Sequence, residues 1–175
     1  MSENFLQLLK TASAIVIDVD GVLTDGSLFI SESGKELRVM NIRDGYAINQ
    51  AVKNELEVIV ISGGVEKSVI KRLERLGVKH IHIGADDKKK LLKKLAKKLK
   101  LDLASTVYIG DDIPDLEAMK MTGMPCCPQD AVQEIISIAK YISPFGGGKG
   151  CVRDVIEKVL KLQGKWSFDF AQDNK

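Results

Sequence analysis

The stretch that decides the fold runs from residue 14 to residue 26 and reads AIVIDVDGVLTDG. Its first four residues are small or branched and apolar, a pattern typical of a strand buried on both faces of a sheet. The run ends at Asp18 and Asp20, which point to the same side of an extended chain because one residue separates them. Two carboxylates at the end of a buried strand are unfavourable unless a cation lies between them. Mg²⁺, a hard ion that prefers oxygen ligands, is the natural candidate, although an Asp before Gly can also simply cap a turn.

The composition is that of an ordinary globular protein. The chain has 175 residues, of which 45% are hydrophobic and 29% are charged, and this length supports a core without disulfides or structural metals. A formal net charge of +2 is too small to indicate nucleic acid as a partner. No apolar run approaches the ~20 residues of a membrane-spanning helix, so we expect no membrane partner. We expect one domain over residues 1–163 and an irregular tail over residues 164–175.

The cysteines indicate a reducing compartment. There are three, an odd number, and Cys126 and Cys127 are adjacent, which is poor geometry for a disulfide. They are more typical of buried thiols than of a disulfide framework or a zinc site, and we therefore expect a cytoplasmic protein.

Strand-like and helix-like segments alternate along the rest of the chain. Buried-strand patterns occur at residues 58–61, 80–83 and 106–109, and helical patterns occur at residues 65–76, 88–100 and 152–162. Two short runs on either side of the glycine-containing turn at residues 32–35 predict a β-hairpin. The alternation predicts an α/β fold with a doubly wound, mostly parallel sheet, in which ligands bind beyond the carboxyl ends of the strands.

Polar residues follow four of these strands. After the first come Asp18 and Asp20, after the second Ser62 and, one loop beyond the third, Lys88. The fourth strand is followed by a group of acids: Asp111, Asp112 and Asp115. Phosphoryl transfer to a carboxylate requires such a set, because cations must offset the repulsion between carboxylate and phosphate and donors must fix the phosphoryl oxygens. The sequence therefore predicts a Mg²⁺-dependent phosphoryl-transfer site at one edge of the sheet.

The order of these motifs resembles a known superfamily. DVDGVLTDG after an apolar strand, then a serine, a lysine and GDDIPD, is similar to the four motifs of the haloacid dehalogenase phosphatases. The first motif resembles one branch in particular, the phosphatases of 3-deoxy-manno-octulosonate 8-phosphate and their sialic-acid-type relatives. The resemblance covers about residues 12 to 163.

The resemblance implies a nucleophile, an acid–base group and a metal site. Asp18 would attack the phosphorus, and Asp20 would protonate the leaving alkoxide and then accept a proton from the hydrolytic water. Mg²⁺ would be bound by the carboxylate of Asp18, the backbone carbonyl of Asp20 and the carboxylate of Asp111.

The same resemblance implies the groups around the phosphate. Ser62 and Lys88 would hold the phosphoryl oxygens. Asp112 and Asp115 would lie behind them and position waters and Lys88.

The spacing leaves no room for a cap domain. Only the hairpin and a helix lie between Asp20 and Ser62, and one helix and one strand lie between Ser62 and Lys88. The resemblance implies an open site that neighbouring subunits of a homotetramer close. The hairpin would be a flap, and the loop FGGGKG at residues 145–150 would reach into an adjacent subunit's site. A flexible connector would also explain the glycines of this loop.

The resemblance also implies an acid-sugar phosphate as substrate. Segment NIRDG matches the substrate segment of the octulosonate phosphatases, Arg72 matches a family arginine, and Lys149 of the glycine-rich loop is a further cation. Two other family arginines are replaced here, by Asn49 and Gly64. The substrate-binding residues predicted in this way are Asn41, Ile42, Arg43, Asp44, Gly45, Arg72 and Lys149. The substrate would be the octulosonate 8-phosphate or, alternatively, a sialic-acid-type sugar 9-phosphate.

Other functions are compatible with part of this pattern. A receiver-like phosphoacceptor module also combines a doubly wound sheet, acids, Mg²⁺, a hydroxyl and a lysine, but its acceptor aspartate follows a middle strand. A phosphomutase would return an isomerised sugar instead of free phosphate. A non-catalytic oligomeric scaffold would have no need of the complete carboxylate set.

Overall fold

A six-stranded sheet forms the centre of the protein. The computed structural model describes residues 3–166. All the strands of this sheet run parallel, in the order β5-β4-β1-β6-β7-β8, and a separate antiparallel hairpin consists of β2 and β3. The strands are β1 (Ala14–Ile17), β2 (Phe29–Ile30), β3 (Glu36–Leu37), β4 (Glu57–Ile61), β5 (His80–His82), β6 (Thr106–Ile109), β7 (Met124–Cys127) and β8 (Tyr141–Ile142).

Helices cover both faces of the sheet. One core cluster joins the sheet to side chains of the first, second, third and last helices, and a second joins the opposite face to the remaining three. The helices are α1 (Glu3–Lys10), α2 (Ile42–Lys53), α3 (Lys67–Arg75), α4 (Lys88–Leu99), α5 (Ile113–Met119), α6 (Gln133–Ile138) and α7 (Cys151–Leu162). The predicted α/β fold with a doubly wound parallel sheet is confirmed.

Strand β1 is the structural centre of the sheet. It pairs with β4 on one side and β6 on the other, and its four residues are fully buried. Ile15 and Ile17 belong to one core cluster and Val16 to the other, as expected when successive side chains alternate between two covered faces. The strand order reverses direction between β1 and β6, and this switch point opens a crevice beyond their carboxyl ends.

The hairpin is confirmed but its strands are short. Each has two residues. The chain leaves the hairpin after Leu37 and enters α2 at Ile42. The helix predicted over residues 65–76 begins later, at Lys67, after Glu66 has adopted an extended conformation at its N-cap. Within residues 3–166 only the hairpin and α2 separate Asp20 from β4, so no cap domain is inserted there.

The cysteines have the buried, unpaired state expected from the sequence. Cys126, Cys127 and Cys151 are all free and buried. Among the helices of residues 3–166, none is long and apolar enough to cross a lipid bilayer.

The predicted tail begins with residues that pack against the domain. The Trp166 ring stands edge-on to Tyr46, with 6.1 Å between ring centroids. The Arg153 guanidinium lies 5.6 Å from the Trp166 ring centroid. The rest of the predicted tail, residues 167–175, lies outside the described residues.

A buried carboxylate joins α2 to α7. Asp44 in α2 accepts a hydrogen bond from the Arg153 backbone N–H at 2.7 Å, and the Gly150 backbone also bonds to it. Asp44 therefore caps the N-terminus of α7, where backbone N–H groups lack partners within the helix. Its Oδ2 atom is buried and has no hydrogen-bond partner. Burial raises the pKa of Asp44 to about 6, although the bonds from Arg153 and Gly150 oppose the shift.

We expect Asp44→Asn to remove one pH-dependent contribution to stability. Because the folded pKa is about 6 and the ordinary value is 3.8, ionisation is less favourable in the folded chain than in the unfolded chain. The free energy of unfolding therefore falls as pH rises through this interval, by on the order of 1 kcal/mol per pKa unit. Thermal unfolding of both proteins at pH about 4 and about 7 should show that the wild type loses stability relative to Asp44→Asn at the higher pH. An equal difference at both pH values would contradict this role for Asp44.

Candidate active site

The first predicted motif forms a tight loop at the end of β1. The Asp18 N–H donates to the Ile109 carbonyl at 3.0 Å, which continues the pairing of β1 with β6. The N–H groups of Leu23 and Thr24 then turn back to the Val19 carbonyl at 2.9 and 3.0 Å. Gly21 has φ +85°, and a Cβ atom there would lie 1.9 Å from Asp111 Oδ2. Both the backbone conformation and the close carboxylate require glycine at this position.

Lys88 joins the carboxylates of two strand ends. Its Nζ lies 2.8 Å from Asp18 Oδ1 and 2.8 Å from Asp115 Oδ1, and its side chain is only 5% exposed. Lys88 reaches this position as the first residue of α4, where Asp87 caps the helix by accepting from the Lys90 N–H. The Tyr108 hydroxyl, fully buried in β6, donates to the same Asp115 oxygen at 2.8 Å.

The buried charges at this edge do not balance. Asp18, Asp111 and Asp115 offer oxygens that all lie within 4.8 Å of one another, and Lys88 is the cation that contacts two of these carboxylates. Asp111 Oδ1 and Asp115 Oδ2 are buried without hydrogen-bond partners. Three carboxylates and one ammonium leave two negative charges uncompensated, so a divalent cation fits the donor set in both charge and chemistry.

The pKa values reflect the same imbalance. Burial, followed by repulsion from Asp115, raises the pKa of Asp18 to about 8, although Lys88 opposes the shift. Burial and Asp115 likewise raise the pKa of Asp111 to about 7. Burial lowers the pKa of Lys88, but attraction to Asp18 and Asp115 outweighs this effect and raises the value overall. The two carboxylates therefore favour the charged form of Lys88.

Ser62 ends the neighbouring strand β4. It is buried, and its N–H donates to the His82 carbonyl at 2.9 Å, which fixes its backbone against β5. Its Oγ accepts a hydrogen bond from the Gly64 N–H at 3.0 Å. Because this bond uses the oxygen as acceptor, the hydroxyl hydrogen remains available for an anionic ligand.

Two other carboxylates predicted for the site, those of Asp112 and Asp20, bind groups outside the cluster around Lys88. Asp112 is exposed and caps α5, since its Oδ1 accepts from the Ile113 N–H at 2.7 Å. The Asp20 carboxylate is bound by Arg38, with Nε 2.6 Å from Oδ1 and Nη2 3.2 Å from Oδ2. The structure therefore holds Lys88 through Asp115, whereas Asp112 shapes the start of a helix.

The predicted substrate segment, residues 41–45, also makes structural contacts. Asn41 caps α2 by accepting from the Arg43 N–H at 2.8 Å and donates to the Gly148 carbonyl at 3.1 Å. Ile42 is exposed, whereas Asp44 is buried as the cap of α7. Arg43 is the exposed cation of this segment.

The predicted substrate cations lie in two places. Arg43 and Lys149 line one cleft of about 420 Å³ beside α7, and Lys149 Nζ pairs with Asp25 Oδ2 at 2.9 Å. Arg72 lies against Gly45 instead, where a Cβ atom would be 2.5 Å from its Nη2. Arg43 and Lys149 thus share their cleft with three cations of α7, which are Arg153, Lys158 and Lys161. Arg72 lies apart from it, over the start of α2.

The glycine-rich loop packs against the first-motif loop of its own chain. The Gly148 N–H donates to the Val22 carbonyl at 2.9 Å, and the Gly147 N–H donates to Asp130 Oδ1 at 3.0 Å. A Cβ atom at Gly147 would lie 2.0 Å from the Gly21 carbonyl oxygen. These contacts give the glycines a packing role in addition to any role in flexibility.

Comparison with known proteins identifies the family. A model described as haloacid dehalogenase-like hydrolase matches residues 80–150. The chain is 36% identical over 165 residues, 94% of its length and 88% of the relative's, to the 3-deoxy-D-manno-octulosonate 8-phosphate phosphatase KdsC of Escherichia coli strain K12. The chain belongs to the haloacid dehalogenase-like hydrolases, in the KdsC family.

Solved structures of the KdsC family agree with this assignment. The 3-deoxy-D-manno-octulosonate 8-phosphate phosphatase of Yersinia pestis is 31% identical with a TM-score of 0.91, over 94% of this chain and 89% of that one. The Moraxella catarrhalis enzyme, solved with magnesium ion, phosphate ion and a KDO molecule, is 32% identical with a TM-score of 0.91, over 95% of each chain. The predicted family and enzyme class, a phosphoric monoester hydrolase, are confirmed. The receiver-like alternative is not supported.

Some residues that contact the candidate site were not predicted from the sequence. Tyr108 is part of an apolar strand in the sequence and carried no sign of its bond to Asp115. Arg38 and Glu66, whose charged groups lie 2.8 Å apart, come from the hairpin and from the start of α3. The sequence indicated a role for these two residues only in that they lie close to predicted motif segments.

We expect Asp111→Asn to weaken Mg²⁺ binding by ~10-fold or more, because it removes one of three clustered charges. Isothermal titration calorimetry measures this directly. Asp112→Asn is the matched control: it removes the adjacent exposed carboxylate and keeps a good helix cap, so the affinity should stay unchanged. Equal weakening in both variants would indicate general electrostatic attraction instead of a site.

Proposed function

We propose that the chain hydrolyses 3-deoxy-D-manno-octulosonate 8-phosphate to the free sugar acid and phosphate, with Mg²⁺ as cofactor and an aspartyl phosphate on Asp18. The observation that carries this proposal is the buried cluster in which Lys88 contacts Asp18 and Asp115 while Asp111 keeps an unpartnered oxygen. The Moraxella relative, solved with magnesium, phosphate and KDO, supports the assignment of both substrate and cofactor.

In the first step the phosphoryl group moves to the protein. An Asp18 oxygen forms a bond to phosphorus while the ester P–O bond breaks, and Asp20 gives a proton to the leaving alkoxide. Lys88, 2.8 Å from Asp18, offsets the repulsion between this carboxylate and the anionic phosphate. Ser62 donates to a phosphoryl oxygen. Bound Mg²⁺, held by Asp18, Asp111 and the Asp20 carbonyl, would neutralise further charge on the phosphoryl group.

In the second step water releases the phosphate. Water attacks the phosphorus of the aspartyl phosphate, its proton passes to Asp20, and the bond between phosphorus and the Asp18 oxygen breaks. Asp18 returns as a carboxylate and Asp20 again carries a proton, so the cycle closes without any other reactant.

Recognition of the sugar acid rests on fewer cations than the family pattern implies. Asn49 donates to the Leu76 carbonyl at 3.2 Å and so joins α2 to the end of α3. The carboxylate of the substrate would then be bound by the cleft cations Arg43 and Lys149. Arg72 would contribute from its position over Gly45.

The proposal includes a homotetramer in which subunits share the site. Large apolar side chains are exposed on the flap and around it, which is typical of an interaction surface. They include Phe29, Ile30, Val39, Ile42 and Val65. The three buried free thiols are consistent with a cytoplasmic location.

We expect Asp18→Asn to fold normally and to lose phosphate release by several orders of magnitude, because an amide is not a competent nucleophile. The assay is phosphate release from a panel of sugar phosphates, with and without Mg²⁺. The panel includes the octulosonate 8-phosphate, a sialic-acid-type 9-phosphate and a neutral sugar phosphate. Highest kcat/KM for the 9-phosphate would change the assigned substrate, and an isomerised sugar without free phosphate would indicate a mutase. Substantial Mg²⁺-dependent turnover by Asp18→Asn would contradict the covalent route.

Mixed oligomers test whether the glycine-rich loop acts between subunits. Lys149→Ala should lower kcat/KM for the octulosonate ester while hydrolysis of p-nitrophenyl phosphate stays nearly unchanged, because remote binding energy is lost. Mixing Lys149→Ala chains with Asp18→Asn chains should restore part of the sugar-phosphate activity, with hybrid assembly verified by native mass spectrometry. Verified hybrids without any restored activity would assign Lys149 to its own subunit.

A further inference from the structure

Arg38 is a buried cation on an exposed part of the chain. It follows β3 directly, and its side chain is only 7% exposed, whereas its neighbours Leu37 and Val39 are 44% and 63% exposed. The hairpin therefore directs its apolar side chains outward and this one charged side chain inward. An arginine is rarely buried without a specific partner, so its environment requires an explanation.

The partner of Arg38 is the carboxylate of Asp20. Nε lies 2.6 Å from Oδ1 and Nη2 lies 3.2 Å from Oδ2, so one edge of the planar guanidinium meets both carboxylate oxygens. Such two-point contacts fix orientation as well as distance. The Asp20 side chain is 37% exposed, and on a loop it would otherwise be free to exchange rotamers in solvent.

Two further carboxylates form ion pairs with the guanidinium on its other side, without a hydrogen bond to Nη1. Glu66 Oε2 lies 2.8 Å from Arg38 Nη1, and Glu36 Oε2 lies 3.5 Å from the same nitrogen. Glu66 is itself fixed, because its Oε2 accepts from the Val65 N–H at 3.1 Å. The Arg38 cluster, formed by Arg38, Asp20, Glu66 and Glu36, thus connects the first-motif loop, the flap and the start of α3.

The absence of a side chain at Gly64 makes room for this cluster. A Cβ atom at residue 64 would lie 3.0 Å from Glu66 Oε2, 3.2 Å from Asp20 Oδ2 and 3.3 Å from Arg38 Nη2. A side chain there would press on three members of the cluster at once. The glycine and the flap arginine therefore belong to one arrangement.

We infer that Arg38 is a positioning residue that fixes the Asp20 carboxylate for proton transfer. This inference rests on the proposed function, in which Asp20 gives a proton to the leaving alkoxide. A proton donor contributes fully only when it is held within hydrogen-bond reach of the reacting oxygen. Because the arginine is carried by the flap, displacement of the flap would also displace the acid.

The inference predicts a selective defect. Hydrolysis of a sugar phosphate expels an alkoxide, which needs a proton, whereas p-nitrophenyl phosphate expels a stable phenolate, which does not. Because Asp20 also accepts the proton of the hydrolytic water, a step common to both esters, the selective quantity is kcat/KM, which covers only the steps through formation of the aspartyl phosphate. Arg38→Ala should therefore lower kcat/KM for the octulosonate ester by ~10–100-fold, part of what general acid catalysis contributes. For p-nitrophenyl phosphate, kcat/KM should fall by no more than about 3-fold.

Three further measurements separate positioning from a structural role. Arg38→Lys should recover part of the lost activity, since it keeps a charge but gives up the two-point contact. Guanidinium ion added to Arg38→Ala should restore sugar-phosphate turnover and have no such effect on Asp20→Asn. Gly64→Ala, which keeps every charge, should show the same substrate selectivity as Arg38→Ala. Lys35→Ala is the matched control, because it removes an exposed cation from the same hairpin, and it should match the wild type on both esters.

The outcomes are distinguishable. Equal losses on both esters, accompanied by a lower Tm, would assign Arg38 a structural role and overturn the inference. Unchanged or higher sugar-phosphate turnover in Arg38→Ala would overturn it as well. Failure of the proposed function gives a different result, since the wild-type protein itself would then release no phosphate from the octulosonate ester.

Discussion

The structure depends on the contact of Lys88 with Asp18 and Asp115. These charged groups are almost fully buried, and Lys88 stabilises both carboxylates from 2.8 Å. Removal of one partner from such a group leaves a buried charge uncompensated, which typically costs several kcal/mol. The contact therefore constrains three elements at once: the end of β1, the start of α4 and the start of α5.

The topology explains why these charges meet. The strand order reverses between β1 and β6, so the loops that leave them diverge and open a crevice. Asp18 lies at the end of one strand and Asp111 just beyond the other. The fold brings more negative charge into this crevice than its lysine can balance. Burial, and then repulsion from Asp115, raises the pKa values of Asp18 and Asp111. A stable sheet thus supports a local site that is unfavourable until a cation binds.

The outer part of the site is built differently. It has no cap domain within residues 3–166, and a short flap, the glycine-rich loop and the start of α2 surround the opening. The start of α2 and the glycine-rich loop also stabilise the fold: Asp44 caps α7, Asn41 binds the Gly148 carbonyl, and Gly147 packs on the Gly21 carbonyl. In the proposed function these segments would have both structural and recognition roles, so substrate specificity would be less directly encoded in single residues than catalysis is.

The sequence by itself determined the sheet, the residues at its edge and the family. A run of buried apolar residues reports a strand, and parallel strands bring their carboxyl ends to one edge, so Asp18, Ser62, Lys88 and Asp111 were predictable from order alone. Only the tertiary structure decided which of these groups contact one another and which polar side chains bind distant parts of the chain instead. Arg38 reaches Asp20 from the flap, and Asp44 turns to the backbone of Arg153, 109 residues further along the chain. Periodicity records whether a position is buried, but the partner of a buried charge is set by packing between segments distant in sequence, and no local pattern carries that information.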